Sequence, residues 1–341
     1  MRLQKQDKHL YTKGALLLPV IQVDNLFKKY DKAPFPAVRN LSFQVEQGEI
    51  FGLLGPNGAG KSTTFKMLTT LLEPTEGSIL ILNRDTMTSQ KAIREHIGYV
   101  SQIGGHDHQL TAYENLRWIS KLYHIPRKQM NDRIMEVLDY VHLLEVKDNL
   151  LMTFSGGMRR RFEIATALLH HPKILFLDEP SSGLDVEHRY QLWHVLERLK
   201  REQNMTVFLT THYLEEADRL CDRVMIIQEG QCVCLGEPEQ LKQEVGGDQI
   251  YITVAEHSSV ITEEELHSKL LEAHEQLVIK RIQLNEACTE LRFWVDQGHR
   301  QVTPILDLLS HYDVQITSVR VTQPTLDDVM LQYTQRSIQY A

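Results

Sequence analysis

Apolar residues first alternate and then run together along this chain. "VIQVDNLFKKY" (20–30) and "AVRNLSFQV" (37–45) alternate apolar and polar residues well enough to predict strands with one buried face. "GEIFGLL" (48–54) is a short apolar run that stops at glycine, as a buried strand does. A helix is expected from about Lys61. Within 111–141, Leu116, Ile119 and Tyr123 recur at helical spacing, and Pro126 divides the stretch into two helices. Next come a helix (157–169), a strand "KILFLD" (173–178), a helix (187–202), a strand "TVFLTT" (206–211), a helix (213–220) and strands at 223–228 and 231–235. Strands alternating with helices predict an α/β domain with a largely parallel sheet.

Beyond "GGD" (246–248) the pattern changes. It predicts a strand at 249–255, a helix at 263–275 capped by Thr262 with Glu265, strands at 277–284 and 290–296, a helix at 300–311 and a strand at 313–321. That order, βαββαβ, is the ferredoxin-like split unit. Pro324 then opens a final helix. The expected division is an arm over 1–19, a domain over 20–246 and a second domain over 248–341.

With 341 residues, 42% apolar and 24% charged, the chain can bury two ordinary cores. A formal net charge of -8 argues against nucleic acid as the main partner. The four cysteines, Cys221, Cys232, Cys234 and Cys288, form no CxxC pair and read as reduced structural thiols. In a strand, Cys232 and Cys234 share one face. No apolar run approaches the ~20 residues a membrane-spanning helix needs. "ALLLPVIQV" (15–23) is short, contains Pro19, and reads as the lead-in to a strand. Any membrane role is then expected to come from another chain.

"GPNGAGKST" (55–63) satisfies the phosphate-loop spacing G-x-x-x-x-G-K-[ST], with a strand before it and a helix after it. Gly55, Gly58 and Gly60 let the loop Gly55-Pro56-Asn57-Gly58-Ala59-Gly60 curl its N–H groups around a phosphate. The helix start at Lys61, Ser62 and Thr63 adds a positive dipole end. Lys61 can reach β- and γ-phosphates, and the Ser62 hydroxyl can ligate Mg²⁺. "ILFLDEP" (174–180) is an apolar strand ending in two carboxylates. Asp178 suits Mg²⁺, directly or through water. Glu179 can polarise a water for in-line attack on a γ-phosphate.

Phosphate loop, then "SGG" (155–157), then a strand ending in Asp-Glu, resembles the nucleotide-binding domain of the ABC ATPase family over about 20–245. The resemblance implies a P-loop NTPase fold with a mixed sheet and a helical subdomain, ATP and Mg²⁺ as ligands, and ATP hydrolysis. It implies that Ser155, Gly156 and Gly157 cover the γ-phosphate bound to a second, head-to-tail copy. Position by position, Tyr30 falls where an aromatic ring stacks on adenine. Gln102, in "YVSQ", falls where a glutamine contacts Mg²⁺ and water. Asp185 ends "SGLD" (182–185), the loop that crosses the dimer interface. His212 falls at the histidine that bonds the γ-phosphate. The remaining histidines, His106, His108, His170 and His171 among them, read as solvated.

Two positions depart from the family signature. Phe154 stands for leucine and keeps an apolar anchor. Met158 stands for glutamine, and "SGGMRRR" resembles the branch of drug-resistance, polysaccharide and nodulation-factor exporters. Val186 stands where proline often follows the aspartate, and little effect is expected. Arg159, Arg160 and Arg161 begin a helix against its dipole; they either pair with acidic groups or a neighbouring subunit, or form a solvated face. The tail "QPTLDDVMLQYT" (323–334) resembles that of the same branch, which implies either packing on the opposite subunit that stabilises or restrains the dimer, or a small domain that simply extends the dimer interface.

The resemblance therefore implies an ATP-hydrolysing exporter subunit on the cytoplasmic face of the membrane. Its partners are a second nucleotide-binding subunit, taken as an identical copy, and a separate transmembrane permease contacted through about 103–124. The alternatives are a soluble ABC-type ATPase, an importer subunit, or a module that holds ATP without hydrolysing it.

Overall fold

The computed structural model describes residues 19–101, 105–244, 247–255, 279–284, 290–296, 298–311 and 314–339. The arm up to residue 18, Gln102, the 263–275 helix with its Thr262–Glu265 cap, and Cys288 lie outside the described residues. Strands β1 (Ile21–Lys28), β2 (Val38–Val45) and β3 (Ile50–Leu54) fall where alternation and the apolar run predict them. Helix α1 (Lys61–Leu68) follows the glycine loop. Then come β4 (Glu76–Ile81), β5 (Arg84–Asp85), α2 (Gln90–Arg94) and β6 (Ile97–Val100), none of which the hydrophobic pattern announced. β6 is short and contains Gly98, a poor strand former. A Cβ there would sit 2.7 Å from the Ala167 carbonyl oxygen, so close packing selects the glycine.

Helices α3 (Ala112–Leu122) and α4 (Arg127–Tyr140) flank Pro126, and α3 starts at a capping box of Thr111 and Glu114. The next elements are α5 (Gly156–Leu168), β7 (Ile174–Asp178), α6 (Val186–Gln203), β8 (Thr206–Thr211), α7 (Leu214–Leu220), β9 (Arg223–Gln228) and β10 (Gln231–Gly236). All lie within one residue of the bounds read from the sequence. α8 (Pro238–Glu244), β11 (Asp248–Val254), β12 (Ile279–Leu284), β13 (Glu290–Val295), α9 (Gly298–His311), β14 (Ile316–Thr322) and α10 (Leu326–Gln339) complete the described chain.

The chain divides into two compact units that interleave in sequence: 1–51, 58–210 and 229–231, against 52–57, 211–228 and 232–341. In the first unit, β2, β1, β4 and β5 form an antiparallel sheet in that order. β6, β7 and β8 pair in parallel, as the strand–helix alternation predicts. Between these elements lies an aromatic core. The Phe208 ring stands 5.6 Å from Phe51 and from Phe176, 6.2 Å from Phe43 and 6.4 Å from Phe65. Phe65 belongs to α1, so this core anchors the helix that follows the glycine loop. Arg133 of α4 donates to the carbonyls of Leu168 and Leu169, placing a cation at the end of α5 where the dipole favours it.

In the second unit β10, β9 and β3 are neighbours in that order. The later strands form an antiparallel sheet in the order β12-β13-β11-β14. That is the strand order of the split βαββαβ unit. Ile250, Ile252, Phe293, Ile305 and Leu309 are its buried core. α10 starts one residue after Thr325, whose hydroxyl accepts from the Asp328 N–H at 3.3 Å, so threonine and not Pro324 is the cap. α10 packs on α7 and α8, and the Tyr333 hydroxyl donates to Glu244 at 3.2 Å.

Phe208→Ala empties the centre of the aromatic core and is expected to lower the unfolding free energy by about 3–5 kcal/mol. Urea denaturation of the purified chain measures it; a loss below about 1 kcal/mol would mean that the ring is not central.

Candidate nucleotide site

The loop 55–60 leads from β3 into α1. Gly58 and Gly60 have φ of 83° and 105°, conformations that only glycine adopts without strain. A Cβ on Gly60 would also lie 2.4 Å from the Ala37 carbonyl oxygen. Gly60 is the N-cap of α1 and has no side chain to cover the first-turn amides. Gly55 and Ala59 are buried, while Pro56, Asn57, Gly58 and Ser62 are exposed. Tyr30 is 42% exposed, and its hydroxyl lies 3.4 Å from that of Thr63.

Lys61 is buried, with 5% of its surface exposed. Burial pushes its ammonium below the usual lysine range, while Glu179 and then Asp178 pull it back up. The loop lysine and the acidic strand end, 117 positions apart in sequence, thus share one electrostatic environment.

Thr210 of β8 fixes that acidic end. Its hydroxyl donates to Asp178 Oδ1 at 2.6 Å and accepts from the Glu179 N–H at 3.0 Å. The Thr210 carbonyl accepts from the same N–H at 3.1 Å. Glu179 sits at φ 45°, a left-handed conformation uncommon outside glycine and asparagine. The strand therefore ends in a sharp turn directly after Asp178. The hydrophobic pattern of "TVFLTT" marks a strand; nothing in it marks Thr210 as the tie between Asp178 and Glu179.

Ser155 is the N-cap of α5 and accepts from the Met158 N–H at 3.2 Å. Phe154 is buried at 3% exposure, edge-on to Phe162, as an apolar anchor should be. Gly156 is exposed and Gly157 buried. Asp185 caps α6 by accepting from the His188 N–H at 2.9 Å, and its carboxyl is held below the usual range by hydrogen bonds from His188. Val186, in the position where proline often stands, is an exposed first residue of α6.

The arginine run separates. Arg159 is exposed, but Arg160 and Arg161 are 9% and 8% exposed, which rules out a solvated face for both. Arg160 donates to the carbonyls of Ser101 (2.5 Å), Asp178 (2.8 Å) and Pro180 (3.0 Å), and pairs with Glu163 at 2.7 Å. Arg161 donates to the Val141 carbonyl at 3.1 Å. Both cations serve mainly backbone carbonyls, a use that composition does not signal.

His212 directly follows β8, its ring 4.2 Å from that of Tyr213. Two histidines read as solvated are packed instead: His106 lies edge-on to Phe162 at 5.0 Å, and His170 stacks on Tyr123 at 4.3 Å. Burial pushes both imidazoles below the usual histidine range. His108 and His171 are exposed. Burial lifts the Cys234 thiol to about 12, as a structural cysteine requires.

The family profile described as "ABC transporter" matches residues 38–182. The linearmycin resistance ATP-binding protein LnrL of Bacillus subtilis is 36% identical over 324 residues, 94% of this chain and 99% of that protein. The Nod factor export ATP-binding protein I of Sinorhizobium fredii is 39% identical over 68% of this chain and 67% of its own. Among solved structures, the dimeric post-hydrolysis state of the ATP-binding cassette MJ0796 with ADP and Pi superposes at TM-score 0.57. It shares 27% identity and covers 64% of this chain and 98% of that one.

Arg160→Met leaves three carbonyls without their donor. It is expected to cost about 3 kcal/mol of stability, at 1–3 kcal/mol per buried unsatisfied group with partial relaxation. Denaturation midpoints measure the cost, and a variant as stable as the parent would show that the clamp contributes nothing.

Proposed function

This chain belongs to the ABC transporter ATP-binding family and is an ATPase, and we propose that it powers an exporter by closing and opening as a head-to-tail pair of identical copies. The observation that carries the site assignment is the buried Lys61 ammonium, held between desolvation and the Asp178–Glu179 pair. A cation in that setting is matched by the polyanionic tail of a nucleoside triphosphate.

On this reading Gly55, Pro56, Asn57, Gly58, Ala59 and Gly60 wrap the phosphates with backbone amides, and Lys61 orients the β- and γ-phosphates. Tyr30 stacks on the base. Glu179 accepts a proton from water as the water oxygen bonds to the γ-phosphorus. The bond from that phosphorus to the bridging oxygen breaks, and ADP keeps the electron pair. His212 and Gln102 hold the γ-phosphate and the attacking water, as the family resemblance implies. Ser155, Gly156, Gly157 and Asp185 serve the nucleotide of the partner copy.

Among the described residues no three His, Cys, Asp or Glu gather as a metal cage. The donors at hand, the Ser62 hydroxyl and the Asp178 carboxylate, are the hard oxygens that Mg²⁺ takes alongside phosphate oxygens and water. When bound there, Mg²⁺ would neutralise phosphate charge; Gln102 is its further proposed ligand.

No helix among the described residues is long and apolar enough to cross a membrane. We assign the crossing to a separate permease that docks on the segment 103–124, with this chain on the cytoplasmic face. Trp118 and Leu122, 60% and 72% exposed, support that docking segment. Residues 248–341 are proposed as a regulatory, dimer-contacting domain after the nucleotide-binding domain of 20–246.

Glu179→Gln is expected to lower ATP turnover about 10²- to 10⁴-fold and to trap an ATP-bound dimer. Turnover assays and sedimentation measure both; normal turnover would remove Glu179 from its role. Affinity capture of the tagged chain from gently solubilised membranes should recover a polytopic protein without its own ATPase cassette. Recovery with ribosomal or DNA-associated proteins alone would overturn the exporter reading.

A further inference from the structure

Ser155 has a second partner besides the Met158 amide. Its Oγ lies 3.0 Å from His188 Nε2, and His188 Nδ1 lies 2.7 Å from both carboxylate oxygens of Asp185. A carboxylate only accepts, so Nδ1 carries a proton and Nε2 is turned to the serine. His188 is half-buried, its side chain 25% exposed, and Asp185 is open to solvent. Gly157 makes room for the ring: a Cβ there would lie 2.0 Å from His188 Cδ2 and 2.6 Å from His188 Cβ. Any larger residue at 157 would push the imidazole off the serine.

We infer that His188 is a positioning residue that ties Ser155, at the start of α5, to Asp185, at the start of α6, so that both present to the partner copy as one rigid piece. The inference rests on the cross-subunit reading of Ser155 given above. Without the link, the serine hydroxyl keeps its N-cap bond but turns freely about its remaining hydrogen-bonding direction. The loop at 182–185 would then move independently of "SGG". With the serine and the 182–185 loop held together, less motion is frozen when the partner copy docks. Loss of the link should therefore appear in the association of the two copies and not in binding of ATP to one copy.

The test uses the full-length Glu179→Gln chain and measures the dimer dissociation constant by sedimentation at saturating ATP. His188→Ala is expected to weaken the dimer about ten-fold, the scale of one hydrogen bond in a charged network. A fluorescent ATP analogue should bind the single copy within about two-fold of the parent. His188→Gln, whose amide reaches the place of Nε2, should restore most of the dimer affinity. His188→Asn, which reaches only as far as Nδ1, should not. Adding His188→Ala to Ser155→Ala should change nothing further, because the link is already broken.

Equal dimer affinity for His188→Ala and its parent overturns the inference. A parent that forms no dimer at any ATP concentration overturns the cross-subunit reading and this inference with it. Imidazole nitrogen NMR of the free chain tells the two failures apart: Ser155→Ala should shift the His188 Nε2 resonance. An unmoved resonance overturns the link itself, whatever the dimer does.

Discussion

One buried guanidinium holds together two backbone stretches at the candidate nucleotide site. Arg160 donates to carbonyls at Ser101, Asp178 and Pro180, which belong to two stretches of backbone far apart in sequence. Ser101 ends the run out of β6, and Asp178 and Pro180 bracket Glu179. A charge 9% exposed is costly unless its hydrogen bonds are satisfied, and here every donor direction named meets an oxygen. The planar fork of arginine suits the task, because lysine would offer one point of contact where several acceptors lie in different directions. Glu163, one turn along α5, balances the charge at 2.7 Å, and its own burial raises its carboxyl above the usual range.

The acidic strand end relies on that clamp and on Thr210. The Thr210 hydroxyl and carbonyl both accept from the Glu179 N–H, and Glu179 takes a left-handed turn. Strain of this kind persists only where the surroundings over-determine the backbone, and it tends to gather at functional sites. Beneath, the aromatic core around Phe208 joins β2, β3, β7, β8 and α1 through Phe43, Phe51, Phe176 and Phe65. The phosphate loop's helix and the acidic strand thereby rest on the same packed rings.

A chain with a net charge of -8 that binds a polyanion needs local positive potential. On the proposed reading the glycine loop and Lys61 supply it locally, and no basic surface is needed. The buried arginines serve backbone carbonyls: Arg160 at Asp178, Arg161 at Val141 and Arg133 at the end of α5. Ser155 and Asp185 are likewise occupied within the chain, as helix caps and as partners of His188. Residues proposed to face a second copy thus also cap their own helices.

By itself the sequence determined what depends on neighbours along the chain. The glycine spacing of 55–60, the acidic strand end and the elements from α5 to β10 all follow from local propensity and period, and they are found where the pattern puts them. The strand order of the second sheet matches the βαββαβ sequence of its elements. Short pieces escaped, because β6 has four residues and β5 two, too few for a period to register. Only the tertiary structure decided which polar groups are buried and what they meet. Arg160 reaches Ser101 across 59 positions, Ser155 reaches His188 across 33, and Thr210 reaches Asp178 across 32. Desolvation makes each of those partnerships necessary, and desolvation exists only once distant segments have closed over the site.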